Sequence, residues 1–288
     1  MNLLTTALCA LAVLVACEYS FPVGFDGQVE TTFVGLATTP EEIIPDIVAF
    51  CTKHLQSTYC SDSNLKIISK HAVDVVKSER LLDELGLKHV CAGTMIGADA
   101  VVVAQMAKEV GSMVASASSF EVTKYVEVGS YLGCSTFIVA NLTAGSGVLL
   151  FAHDIWVENM EELPPGSDPP PLTEDYFHSF YRGVTSRGFA RSVIPIRGPS
   201  TYTLSIHAAA SIDLAFVDGD HSEQGCLSDL RLLWPRMRSG GIVYVHDVLS
   251  KDEDDVTRCV QQFMNEVGLD IEMLEMVGQT TFARIKVP

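Results

Sequence analysis

Ile212-Asp213-Leu214-Ala215-Phe216-Val217-Asp218-Gly219-Asp220-His221 is the stretch on which the reading of the fold turns. Ile212 to Val217 is apolar except for Asp213, the pattern of a strand buried on both faces. It stops at Asp218-Gly219-Asp220-His221, so with Asp213 four ionisable groups are read as gathering around one strand end. Buried strands tolerate such groups only when they are paired, bind a metal or face a cleft. A helix from Ser222 to Trp234 follows, then Ser239-Gly240-Gly241, a strand from Gly241 to Val245, and His246-Asp247. Neighbouring parallel strands lie about 4.8 Å apart. Asp218 and His221 are therefore expected to face His246 and Asp247 across a ligand mouth.

The same alternation continues in both directions. Strands are expected at 125–128, 148–152 and 192–196, with helices at 135–142 and 175–187 between them. Downstream come a helix at 252–267, with Val256, Val260, Phe263 and Val267 facing inward, and a closing hairpin, 271–277 and 280–285, around Gly278. Strands alternating with helices give a mostly parallel sheet covered on both faces. The fold class expected is thus α/β, a Rossmann-like seven-stranded sheet with a C-terminal antiparallel hairpin. A helical N-terminal region precedes it. The boundaries read as 1–17 leader, 18–119 N-terminal region and 120–288 α/β domain. In the N-terminal region, 18–40 reads as loop or short strand. Ile43, Ile44, Ile47, Val48 and Cys51 recur at helical spacing, as do the apolar residues between Val73 and Leu85 and those of 98–114.

The first strand of the α/β domain runs into Glu127-Val128-Gly129-Ser130-Tyr131-Leu132-Gly133-Cys134-Ser135. Glycine at a strand end permits a tight turn and close approach of a ligand to the backbone, and the next helix offers unpaired N–H groups. The second strand ends at His153-Asp154-Ile155-Trp156. A carboxylate there can accept both ribose hydroxyls of a nucleoside, or it can cap a helix. Trp156 can stack on a nucleobase or belong to the core. The glycine spacing is not GxGxxG but E-x-G-x-x-x-G-x-S, which resembles motif I of class I S-adenosylmethionine (SAM) dependent methyltransferases. Together with IDLAFVDGDH and LSDLRLLWPRMRSGGIVYVHD, it resembles the DGDH-type small-molecule methyltransferases (methyltransferase family 24) over 125–247. It is more distantly similar to the metal-dependent catechol and caffeoyl-CoA O-methyltransferases.

The resemblance implies methyl transfer from SAM to a small-molecule acceptor, with a hydroxyl oxygen as the expected target. It implies cofactor contacts from Glu127, Gly129, Ser130, Gly133, Ser135, Asp154, Ile155 and Asp218. Asp218 matches the first metal ligand of the O-methyltransferases, and His246-Asp247 stands where their Asp-Asn pair would be. Asp218 and Asp247 are thus candidate ligands for Mg²⁺, or for another divalent cation if an imidazole takes part. A hydroxyl needs a base or a metal to become a nucleophile. His221 is the first candidate base and His246 the second, each with the alternative of orienting an aspartate. Two other readings stand beside this one: an NAD(P)-binding oxidoreductase, against which the missing GxGxxG counts, and a non-enzymatic secreted protein that retains the fold.

Bulk properties narrow the partners. The net charge of −17 disfavours a nucleic-acid backbone, and the sequence leaves a homodimer open. Leu3 to Ala16 is almost wholly apolar. It is shorter than the about 20 residues of a membrane span and suits a signal peptide. The expected location is the secretory pathway or the exterior. A retained membrane anchor is the alternative, with membrane contact only through this segment and the catalytic domain left where SAM is made. No CxxC pair suggests zinc. Cys51 and Cys60 are a candidate disulfide, while Cys134, Cys226 and Cys259 read as small buried hydrophobes. Five prolines between Glu158 and Asp175 exclude regular structure there, leaving a stiff surface loop that either covers a substrate or has no role.

Overall fold

The computed structural model describes residues 17–25, 29–37, 45, 62–92, 99–114, 122–156, 175–248, 254–269, 275–277 and 282–288. Residues 1–16 of the expected leader, Cys51 and Cys60, the expected helix through Ile47, the proline-rich segment before Asp175 and the turn at Gly278 lie outside the described residues. The chain divides into two compact units, Met1–Lys88 with Met95–Val101, and His89–Thr94 with Val102–Pro288.

The first unit contains a two-stranded antiparallel hairpin, β1 (Cys17–Phe25) and β2 (Val29–Ala37), where the sequence suggested loop or short strand. Helix α1 (Asp62–Glu84) follows. Gly86 ends it with φ 64°, and the Leu87 N–H reaches back to the Leu82 carbonyl at 2.8 Å. A residue without Cβ takes this left-handed position at little cost. The short helix α2 (Lys88–Cys91) begins in the first unit, and His89 onwards belongs to the second.

Helix α3 (Asp99–Val114) continues from Val102 into the second unit. There Glu109 accepts from Tyr244 Oη at 3.1 Å and pairs with Arg284 at 3.3 Å. The remaining elements are β3 (Lys124–Val128), α4 (Cys134–Leu142), β4 (Leu149–Asp154), α5 (Tyr176–Ser186), β5 (Val193–Arg197) and α6 (Ser200–Thr203). A short 3₁₀ turn leads to β6 (Ile212–Val217), α7 (Glu223–Leu233), β7 (Met237–Val245), α8 (Asp254–Glu266), β8 (Glu275–Val277) and β9 (Phe282–Lys286).

The sheet order is β5-β4-β3-β6-β7-β9-β8. The first five strands are parallel, and β9 is antiparallel to both its neighbours. This is the expected α/β sheet, mostly parallel with an antiparallel C-terminal pair. Chain order runs outward from β3 through β4 to β5, then resumes on the other side with β6 and β7. That reversal opens a crevice beyond the carboxyl ends of β3 and β6.

Every residue of the central strand β6 is buried. Asp213 was grouped by sequence with the ionisable residues at the carboxyl end of β6, but it lies at the opposite end of the strand. It accepts there from the Lys124 N–H at 2.8 Å and from Arg238 at 3.0 Å. These two donors compensate a carboxylate that would otherwise be buried unpaired. Strand β7 begins four residues earlier than expected. Met237 already pairs with Ile212, and the register then shifts across Gly240 and Gly241, whose missing side chains admit the irregularity.

The cysteine expectation needs correction. Cys134, Cys226 and Cys259 are buried, but as halves of disulfides, Cys91–Cys134 and Cys226–Cys259. Their partners lie 43 and 33 residues away in sequence, with Cα atoms 4.9 and 6.1 Å apart. Only the packed fold creates that proximity. In the chain-entropy picture each cross-link stabilises by about 3–4 kcal/mol.

Candidate active site

The floor of the crevice is Glu127, which is fully buried near the end of β3. Its carboxylate accepts from Ser135 Oγ at 2.6 Å, Thr136 Oγ1 at 3.0 Å and Tyr125 Oη at 3.0 Å. Burial pushes Glu127 up to about 7 against the opposing pull of the three hydroxyls. The Glu127 carboxylate and the Ser135 hydroxyl are thus bound to one another. They lock the start of α4 onto β3, and Tyr125 and Thr136 join them as partners the sequence did not single out.

Gly129 and Gly133 frame the turn above. Gly129 has φ 90°, and a Cβ there would sit 1.9 Å from the Asp218 carbonyl oxygen. Its N–H bonds to His153 O at 2.9 Å, and the Asp218 N–H bonds to Val128 O at 2.9 Å. The ends of β3, β4 and β6 therefore close around this glycine. Gly133, with φ 92°, is the N-cap of α4. Between them Ser130 Oγ is buried without a hydrogen-bond partner.

Asp154 straps the end of β4 to this turn, accepting from the Tyr131 N–H at 2.8 Å and the Trp156 N–H at 2.5 Å. Burial raises its pKa, and hydrogen bonds from the Trp156, Tyr131 and Ser130 backbone oppose the rise. Ile155 is exposed beside it. Of the two readings of Trp156, the structure takes the core one. Its ring is buried against Phe177 and Phe180, and Nε1 donates to Tyr131 O at 2.7 Å.

On the other side of Gly129, the ends of β6 and β7 bring four side chains together. His246 Nδ1 lies 3.0 Å from both Asp218 Oδ1 and Asp247 Oδ2. His221 Nε2 lies 3.7 Å from Asp218 and 3.5 Å from Asp247. Asp247 holds this position in the left-handed region, φ 58°. Burial pushes Asp218 up, but His246 and His221 outweigh it and hold the carboxyl well below the usual range. One ligand atom each from Asp218, His221 and Asp247 lie within 4.8 Å of one another, a separation one cation can span.

Asp229 was missed by the sequence reading. It is buried on α7, bonded to Ser200, and pushed up to about 6 by burial, with Asp220 adding to the rise. A Cβ on Gly219 would lie 3.4 Å from its carboxylate. The signal was available, since Asp229 shares helical spacing with the buried Cys226 and Leu233.

Residues 126–248 match the family model described as a methyltransferase domain. That segment starts within β3 and ends one residue past Asp247, enclosing every candidate site residue above. That segment carries a methyltransferase domain, and the match supports an enzyme of the SAM-dependent methyltransferase type. The domain's fold is shared with two solved structures. The O-methyltransferase NovP is 16% identical with a TM-score of 0.52, over 67% of this chain and 81% of that one. The calicheamicin methyltransferase CalS11 is 12% identical with a TM-score of 0.50, over 78% and 93%. Identities this low speak for the fold alone. None of the curated proteins matches the sequence. The match supports SAM as the cofactor.

Proposed function

We propose that this enzyme methylates a hydroxyl oxygen of a small molecule held over the carboxyl ends of β6 and β7. The carrying observation is the Asp218–His221–His246–Asp247 cluster, which adjoins the cofactor turn through the Gly129–Asp218 contact. SAM supplies an electrophilic methyl on a sulfonium, and a divalent cation would supply a Lewis acid for the acceptor hydroxyl.

The chain's own residues do the rest. Asp154 and Ile155 flank the nucleoside, with Asp154 accepting its ribose hydroxyls in exchange for part of its present backbone bonding. The unpartnered Ser130 Oγ has a hydrogen bond to offer at the turn. Glu127 and Ser135 act through the turn's shape, because each already engages the other. Asp218, His221 and Asp247 would hold the cation. Two carboxylates with one imidazole suit Mn²⁺ or a later first-row ion better than the all-oxygen set Mg²⁺ prefers. His246, bracketed by both carboxylates, sets their orientation.

A second reading rests on the 37% exposure of the His221 side chain, whose Nε2 lies 3.7 Å from Asp218 and 3.5 Å from Asp247. In that reading His221 Nε2 takes the acceptor proton itself, and no cation is needed. The same nitrogen cannot do both, so the two readings exclude each other.

Calorimetric titration with S-adenosylhomocysteine, with and without Mn²⁺ or Mg²⁺, tests the proposal. Micromolar binding is expected, weakened at least about tenfold by Asp154→Ala, since a charge-assisted hydrogen bond contributes about 1.5–3 kcal/mol. Enhancement by Mn²⁺ favours the cation reading, and indifference to either ion favours the His221 base. A folded protein that binds no S-adenosylhomocysteine under any of these conditions overturns both.

A further inference from the structure

Two disulfides among the described residues involve the helix starts that follow β3 and β6. Cys134 is the first residue of α4, between the N-cap Gly133 and Ser135, whose hydroxyl holds Glu127. Its bond to Cys91 ties the cofactor turn to α2. Cys226 lies in the first turn of α7, whose N-cap Ser222 directly follows His221. That turn packs on the Asp218–His221 loop so closely that a Cβ on Gly225 would overlap the Asp220 carboxyl group, at 2.2 Å. Cys259 lies on α8, the helix that follows His246-Asp247. The Cys226–Cys259 bond therefore joins the helices that follow the two strands carrying the cation-side residues. Arg258 pairs with Glu223 at 2.9 Å across the same two helices.

We propose that the disulfides divide the site between them: Cys91–Cys134 positions the cofactor turn, Cys226–Cys259 positions the Asp218, His221 and Asp247 loops, and the enzyme is competent only when oxidised. The cation-side half of this rests on the site assigned under Proposed function. Reduction is by thiol–disulfide exchange. Each disulfide takes two electrons and two protons from a dithiol such as dithiothreitol, whose own thiols close to a cyclic disulfide. Dependence on these disulfides would place maturation where thiols are oxidised.

The test uses the full oxidised chain, with thiols counted by alkylation and mass, and S-adenosylhomocysteine and Mn²⁺ as separate calorimetric probes. Cys226→Ala/Cys259→Ala is expected to keep S-adenosylhomocysteine affinity within about threefold and to weaken Mn²⁺ by about 10–100-fold, the cost of losing support behind a metal ligand. Cys91→Ala/Cys134→Ala is expected to do the reverse. Stepwise dithiothreitol on the folded wild type reads the same affinities without substitution, and both are expected to fall. Parallel losses of both probes in each variant mean general structural support and overturn the division of labour. Unchanged affinities in the reduced protein overturn the redox dependence. Oxidised wild type that fails to bind S-adenosylhomocysteine sinks the functional reading itself, a result visible before any cysteine is altered.

Discussion

Gly129→Ala is expected to destabilise the protein by about 3–5 kcal/mol and to abolish S-adenosylhomocysteine binding. Two costs combine. The backbone at φ 90° is a region that residues with a Cβ enter at about 1–3 kcal/mol. The new methyl would also meet the Asp218 carbonyl oxygen at 1.9 Å and Gly219 Cα at 2.7 Å. Both obstacles are backbone, so no rotamer relieves them, and overpacking of this kind costs about 1–3 kcal/mol. Relief requires separating the ends of β3 and β6, which would move Asp218 and break the bond from its N–H to Val128 O. Gly145→Ala is the control. Gly145 also has positive φ, 75°, but nothing lies within 4 Å of its added Cβ, so only the conformational cost of about 1–2 kcal/mol applies. Chemical denaturation of both variants checks the difference. Equal destabilisation of the two would show that the strand ends separate without cost.

Acid is expected to weaken the fold through a buried histidine pair. His153 Nε2 and His207 Nε2 face each other at 3.0 Å, and both rings are buried. One ring must donate and the other accept, and burial favours the neutral form of both. Burial lowers His153 to about 3, with His207 adding to the effect. It lowers His207 to about 4, with Lys124 and Arg236 adding. In the unfolded chain both titrate near 6.5. Between about 6.5 and 4 the unfolded state therefore binds more protons than the folded one, and stability falls as pH falls through that window. Glu127 and Asp229 work the other way. Their folded pKa values are raised, so their contribution is present at low pH and lost as pH rises through about 6 to 7.

The histidine term is isolated by comparison with His207→Gln, which keeps a hydrogen-bonding group but does not titrate. Relative to that variant, the wild type is expected to lose about 1.4 kcal/mol per pH unit below 6.5, or about 3 kcal/mol by pH 4.5. Denaturant unfolding at several pH values reads this directly, and parallel curves for the two proteins would remove His207 as the source.

Much of the architecture was legible without coordinates because its signals are local. The β6 range follows from six residues that needed only their own apolar pattern and the charged residues after them. The turn from Glu127 to Ser135 was legible because glycine spacing is a backbone requirement, and the structure returns both glycines with φ near 90°. The meeting of Asp218 and His221 with His246 and Asp247 followed from strand adjacency alone. Asp213 misled the reading because one strand's sequence does not say which end its neighbours' donors occupy.

By itself the sequence determined the order and type of the elements of the α/β domain, the glycine turn, and the acids and imidazoles at its strand ends. Each of these depends on periodicity or steric demand within a few residues of chain. The tertiary structure alone decided the cysteine pairings, the His153–His207 contact, the capture of Glu127 by three hydroxyls and the core burial of Trp156. Those depend on which side chains, tens of residues apart, converge within bonding distance once the sheet is assembled, and no local pattern encodes that distance.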